Sequence, residues 1–92
     1  MKIKSNFEFV SIGDEVMLIP VGDEARRFRS LLVMNDETAL IIRLLQTDQT
    51  TDTLLEAFLE GYDLDLEIAR NELERLLRKL DDMGILEHTS TL

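Results

Sequence analysis

The sequence predicts an α+β fold in which a three-stranded antiparallel sheet is followed by three helices, a winged helix-turn-helix-like arrangement with its sheet placed first. Three observations predict it. Strand-like segments separated by glycine-bearing turns occupy the stretch from Phe7 to Val33. Apolar residues then recur at helical spacing through three capped segments between Asn35 and Leu86. The last two of these segments are joined by only Tyr62-Asp63-Leu64, a tight turn between consecutive helices.

Phe7 to Ile12 and Val16 to Val21 flank Gly13-Asp14-Glu15 and read as a hairpin. The second strand is apolar on both faces, Val16 and Leu18 against Met17, Ile19 and Val21, and should be covered on both sides. Pro20 cannot donate to a ladder, which marks an edge or a strand end. After Gly22-Asp23-Glu24 comes a third strand, basic early and apolar late: Arg26, Arg27, Phe28, Arg29, Ser30, Leu31, Leu32 and Val33. Three arginines in one strand of an acidic chain either guard a sheet edge against random pairing or equip it for a ligand.

Asn35 is a good N-cap, and Asp36 and Glu37 put negative charge at the positive end of a first helix running to about Leu45. This helix is apolar almost all round, so it should be the most buried. Thr50 or Thr51 caps a second helix carrying Leu54, Leu55, Phe58 and Leu59, which Gly61 ends. The third and longest begins at an Asp65 N-cap and stops near Gly84, where a left-handed residue costs glycine nothing. Its apolar set is Leu66, Ala69, Leu73, Leu76, Leu77, Leu80 and Met83. At 100° per residue the buried stripe centres near Leu73 and Leu80, and one flank holds Leu66, Arg70, Glu74, Leu77 and Asp81. Ile85 and Leu86 should return to the core, and Glu87 to Leu92 should fray.

Ninety-two residues suit a single domain over 1–92. With 45% hydrophobic residues and only four Phe and one Tyr, the interior should be aliphatic, with no room for a deep cofactor cavity. The absence of cysteine removes disulfides, thiolate nucleophiles and cysteine-based metal sites. The N-terminal residues lack the apolar core of a signal peptide, and no apolar run approaches the roughly 20 residues that span a bilayer, so a cytoplasmic protein is expected. Net charge is −9, and twelve acidic residues against four basic ones lie from Thr47 to Leu92. Such a surface repels nucleic acid and anionic membrane, whose affinity comes from phosphate neutralisation.

No constellation suggests catalysis. Asp63, Asp65 and Glu67 alternate, but the further ligands, central glycine and terminal glutamate of a calcium loop are missing, so helix capping explains them. His88, the only histidine, sits in the tail with no second ligand or base partner in view. Asp81 and Asp82 read as a solvated helix edge rather than an acid/base pair across a cleft. No phosphate-cradling glycine loop is present. No catalytic residue, cofactor or metal site is expected.

Together, the run from Val33 through Asn35, Ala39, Ile41 and Leu44, the threonine-capped helix, the Tyr62-Asp63 connector and the closing Leu80 to Gly84-Ile85-Leu86 resemble the PqqD family of pyrroloquinoline-quinone synthesis proteins. The resemblance covers about Glu15 to Leu86 and lies in order and spacing rather than in one diagnostic piece. The family often has Trp, Gly and Asp where this chain has Ile42, Gln46-Thr47-Asp48 and Glu72, which marks a divergent member and does not carry over the quinone pathway itself. The resemblance implies a non-catalytic peptide chaperone of natural product biosynthesis. It would bind the leader segment of a ribosomally synthesised precursor peptide and present it to a modifying enzyme, often of radical SAM type.

By the same resemblance, the leader would add as a strand to the third strand and lie against the third helix. The residues suit that role, because strand addition needs an exposed edge and side-chain pockets. The edge would carry Arg27, Arg29, Leu31 and Val33, and the facing wall would carry Arg70, Glu74, Leu77 and Asp81. Two other readings remain: a DNA-binding winged helix, opposed by the acidic turn before the third helix, and a structural homodimerisation module. Homodimerisation is also compatible with the first reading.

Overall fold

The computed structural model describes residues 1–13, 15–22, 31–33 (backbone only) and 36–88. They form an α+β arrangement of three helices and two small antiparallel sheets, where the sequence suggested one sheet. The elements run β1 (Lys2–Ile3), β2 (Phe7–Ile12), β3 (Glu15–Pro20), β4 (Leu31–Val33), α1 (Asp36–Leu44), α2 (Thr51–Gly61), α3 (Leu66–Asp82) and β5 (Leu86–Glu87). β2, β3 and β4 pair in that order, with Phe9 opposite Leu18 and Val16 opposite Val33. Gly13 turns the β2–β3 hairpin at φ +61°, a conformation open to glycine at little cost. The Asn6 carbonyl accepts from Val21 N–H at 2.7 Å, so the neighbouring Phe7–Pro20 pair is a non-hydrogen-bonded one. Proline therefore costs the β2–β3 ladder nothing there, and β3 ends at it.

The second sheet corrects the expectation of a fraying tail at Glu87, which belongs to β5, while residues 89–92 lie outside the described residues. β5 pairs with β1, Lys2 opposite Glu87 and Ile3 opposite Leu86. Lys4 N–H extends this ladder to the Ile85 carbonyl at 2.9 Å, and on the other side of β1 Ile3 N–H donates to the Leu45 carbonyl at 2.8 Å. The Met1 amine reaches Asp48 Oδ1 at 2.7 Å and the Gln49 carbonyl at 2.6 Å. The N-terminal residues are thus bound to the loop after α1 and β5 is bound to β1, and two residues of strand suffice because apolar side chains accompany them: Ile3, Ile85 and Leu86 are all buried.

The second and third helices are bounded as their sequence requires, while Asn35, the expected cap of α1, lies outside the described residues. Thr50 and Thr53 form a capping box on α2, each hydroxyl accepting from the other's backbone N–H at 3.1 and 3.0 Å. Asp65 accepts from Glu67 N–H at 3.0 Å and opens α3. Beyond α3, Gly84 takes φ +75°, its N–H bonds the Asp81 carbonyl and Ile85 N–H bonds that of Leu80, both at 3.0 Å. This pair is the Schellman closure, and it turns the chain back onto the core.

That core contains Phe7 and Leu18 from the sheet, Ile41, Ile42 and Leu45 from α1 and the residue after it, Leu54 and Phe58 from α2, and Ala69, Leu73 and Leu80 from α3. Leu73 and Leu80 lie at the centre of the α3 stripe as expected, at 1% and 5% exposure. Leu66 departs from expectation: it falls on the stripe by spacing but is 49% exposed, because the first turn of α3 projects beyond the packed helices. No described helix is long and apolar enough to cross a membrane.

Candidate functional site

The flank of α3 is where the sequence placed one wall of a binding groove. Arg70, Glu74, Leu77 and Asp81 fall within an arc of about 60° on this helix. Arg70, Glu74 and Asp81 are exposed, and Leu77 is half-buried beside the core stripe. Leu77 is therefore the apolar margin of the helix, with charge above and below it. Neither Arg70 nor Glu74 has an ion-pair partner among the described residues, the pairing on this helix being Arg75 with Glu72 at 3.8 Å. Both charges are free to meet a ligand.

At its C-terminal end the flank becomes a shallow groove of about 320 Å³, in which Leu77, Arg78 and Asp81 face Met1, Thr51, Leu86 and His88. The Schellman turn makes this groove, since reversing the chain at Gly84 lays β5 alongside the last turns of α3. It also brings His88 Nε2 to 2.8 Å from Asp81 Oδ1. His88 thus has a carboxylate partner, contrary to the expectation from sequence, which had no way to measure a distance across the turn. Both groups are more than half exposed, so the pair contributes little to stability.

On the sheet, Leu31 and Val33 belong to β4, whose backbone pairs with β3 on one side. β4 is the end of the sheet order, so its other edge carries no strand among the described residues. Arg27 and Arg29, with the rest of the expected basic half of this strand, lie outside the described residues. The structure therefore gathers Leu77 and Asp81 in one groove, sets Glu74 and Arg70 one and two turns earlier on the same flank, and puts Leu31 and Val33 on a sheet edge.

A larger groove, of about 730 Å³, escaped the sequence reading. It runs between the β2–β3 hairpin, through Ser11, Gly13 and Val16, and the helices, through Asp36, Ala39, Leu40, Arg43, Gly61 and Tyr62. These residues come from four separate elements and two connectors, so no local pattern announces them. Desolvation of the phenol, then the Asp36 carboxylate, then that of Glu37, push the Tyr62 pKa above its ordinary value. The ring packs edge-on against Phe58 with centroids 5.8 Å apart. At the other end of the groove the Arg43 guanidinium sits over the Phe9 ring at 5.8 Å. Among the described residues no cluster of His, Cys, Asp or Glu is placed to hold a metal ion.

No family model matches the chain, and no curated protein does. Among solved structures, the chain is similar to TbiB1, determined in complex with the TbiA(beta) leader peptide. The two are 22% identical in sequence, superpose with a TM-score of 0.80, and are covered over 99% of this chain and 100% of that one. At this level of identity the likeness establishes a shared fold.

Proposed function

We propose that this domain is a non-catalytic adaptor that binds the leader segment of a ribosomally synthesised precursor peptide and hands it to a modifying enzyme, of radical SAM or another peptide-modifying type. The observation that carries the reading is the end-to-end likeness of fold to a protein determined with a leader peptide bound. Two features of the chain itself support it. β4 lies at a sheet edge, the backbone requirement for strand addition. The α3 flank offers an apolar margin at Leu77 with unpaired charges at Glu74 and Arg70 one and two turns before it, the side-chain requirement for telling one peptide from another. In this reading Arg27, Arg29, Leu31 and Val33 hold the peptide from the sheet side, and Arg70, Glu74, Leu77 and Asp81 from the helix side.

The protein supplies no chemistry in this scheme. Its contribution is to convert a bimolecular encounter between peptide and enzyme into one within a complex, which raises the effective concentration of the segment to be modified. Calorimetry with the leader of a precursor encoded beside this chain tests the reading: saturable one-to-one binding by the leader, and none by the remainder of the precursor, is the expected result. Binding to the remainder alone would overturn it.

A further inference from the structure

We propose that the groove between the β2–β3 hairpin and the α1 and α2 helices docks a basic, aliphatic segment of a second protein, one that presents an arginine or lysine next to an apolar side chain. The inference goes beyond leader binding and does not depend on it.

Two ends of opposite charge define the groove: at one, Arg43 is held over the Phe9 ring; the other is acidic, where Asp36 lines it, Glu37 adjoins, and Glu60 and Asp63 flank Gly61 and Tyr62 in the chain. None of these four carboxylates has a cationic partner among the described residues. Helix-dipole stabilisation accounts for Asp36 and Glu37 in the first turn of α1 and for Asp63 just ahead of α3, but not for Glu60 in the last turn of α2, where negative charge is unfavourable. The middle is apolar: Leu40 and Val16 are half-buried, and Gly61 keeps the floor low, because a Cβ there would stand 3.4 Å from Leu40 Cδ2.

Charge complementarity selects the occupant. A guanidinium or ammonium at the acidic end meets unpaired carboxylates and can rest on the Tyr62 ring, while the adjoining aliphatic side chain covers Leu40 and Val16. A second copy of this chain, with net charge −9, brings predominantly the wrong sign.

The test uses a blocked pentapeptide without aromatic residues, acetyl-Leu-Arg-Leu-Arg-Leu-amide, and the same peptide with Glu for Arg. Tyr62 is the only tyrosine in a chain without tryptophan, so its fluorescence reports the groove directly. The arginine peptide should give a saturable change in that fluorescence and amide shifts at Ala39, Leu40, Arg43, Gly61 and Tyr62, and the glutamate peptide neither. Asp36→Asn with Glu37→Gln should weaken binding at least tenfold, with folding checked by circular dichroism and leader binding retained. Asp52→Asn with Glu56→Gln, the same loss of charge away from the groove, should change it by less than twofold. Equal weakening in both pairs would show general attraction to an acidic protein and overturn the proposal. So would shifts confined to α3, no saturable binding, or groove shifts that appear on concentrating the protein alone.

Discussion

Replacing Leu80 by Ala tests the register of α3 on which the peptide-binding reading rests. Leu80 is 5% exposed in the centre of the buried stripe. The truncation removes three carbons, worth about 2.4 kcal/mol in transfer free energy. The space left behind adds about 1 kcal/mol if some 40 Å³ of it fails to collapse. A loss of about 3 kcal/mol is expected, within the roughly 2–5 kcal/mol usual for this change. A domain of 92 residues is stabilised by about 5–14 kcal/mol, so the variant should fold but melt roughly 12–24 °C lower. Ile68, on the opposite face and 51% exposed, is the control: Ile68→Ala should change stability by about 0.5 kcal/mol or less. Urea denaturation read by circular dichroism gives both values, and an unchanged slope would place the effect on stability rather than on the unfolded state. A loss below about 1 kcal/mol at Leu80, or a larger loss at Ile68, would refute the assigned helix face.

Three further outcomes follow from particular residues. Gly84→Ala should cost about 1 kcal/mol in the same assay, from backbone strain at φ +75° alone, since a Cβ there meets nothing within 4 Å; Gly84→Asn should cost less. Absorbance titration of the single tyrosine should give a pKa above that of a free phenol, and Asp36→Asn with Glu37→Gln should lower it. Because the folded-state value is raised, the associated stability is fully present below the unfolded-state pKa and is lost as pH rises through the folded one. In a gel-shift titration at low salt, duplex DNA should not bind with submicromolar affinity, the turn before α3 being acidic at Asp63, Asp65 and Glu67.

The helices were legible in the sequence because local chemistry decides them. Asp65, Thr50 and Gly84 stop or start a helix through bonds to their own neighbours, and the spacing of Leu73 and Leu80 carries their burial. The second sheet was not legible, since a strand of two residues has no period and β1 meets β5 only after more than eighty residues of intervening chain. For the same reason the Asp81–His88 contact and the groove around Tyr62 could not be read: each depends on where separate elements dock. Leu66 shows the converse error, a residue of correct periodicity whose position at the helix start leaves nothing to pack against. The flank of Arg70, Glu74, Leu77 and Asp81 follows from helical geometry alone, whereas its neighbours in space, Met1, Leu86 and His88 among them, came only from the structure.

The most direct test of the peptide-binding account is a titration of isotope-labelled protein with the leader peptide, followed by calorimetry on Leu77→Asp. The account predicts amide shifts along Leu31 to Val33 and along Arg70 to Asp81. It also predicts binding weakened by about 2 kcal/mol or more in the variant, because an unpaired carboxylate then faces the apolar anchor of the peptide. Shifts confined to α2, with Leu77→Asp binding as tightly as the unaltered protein, would contradict it.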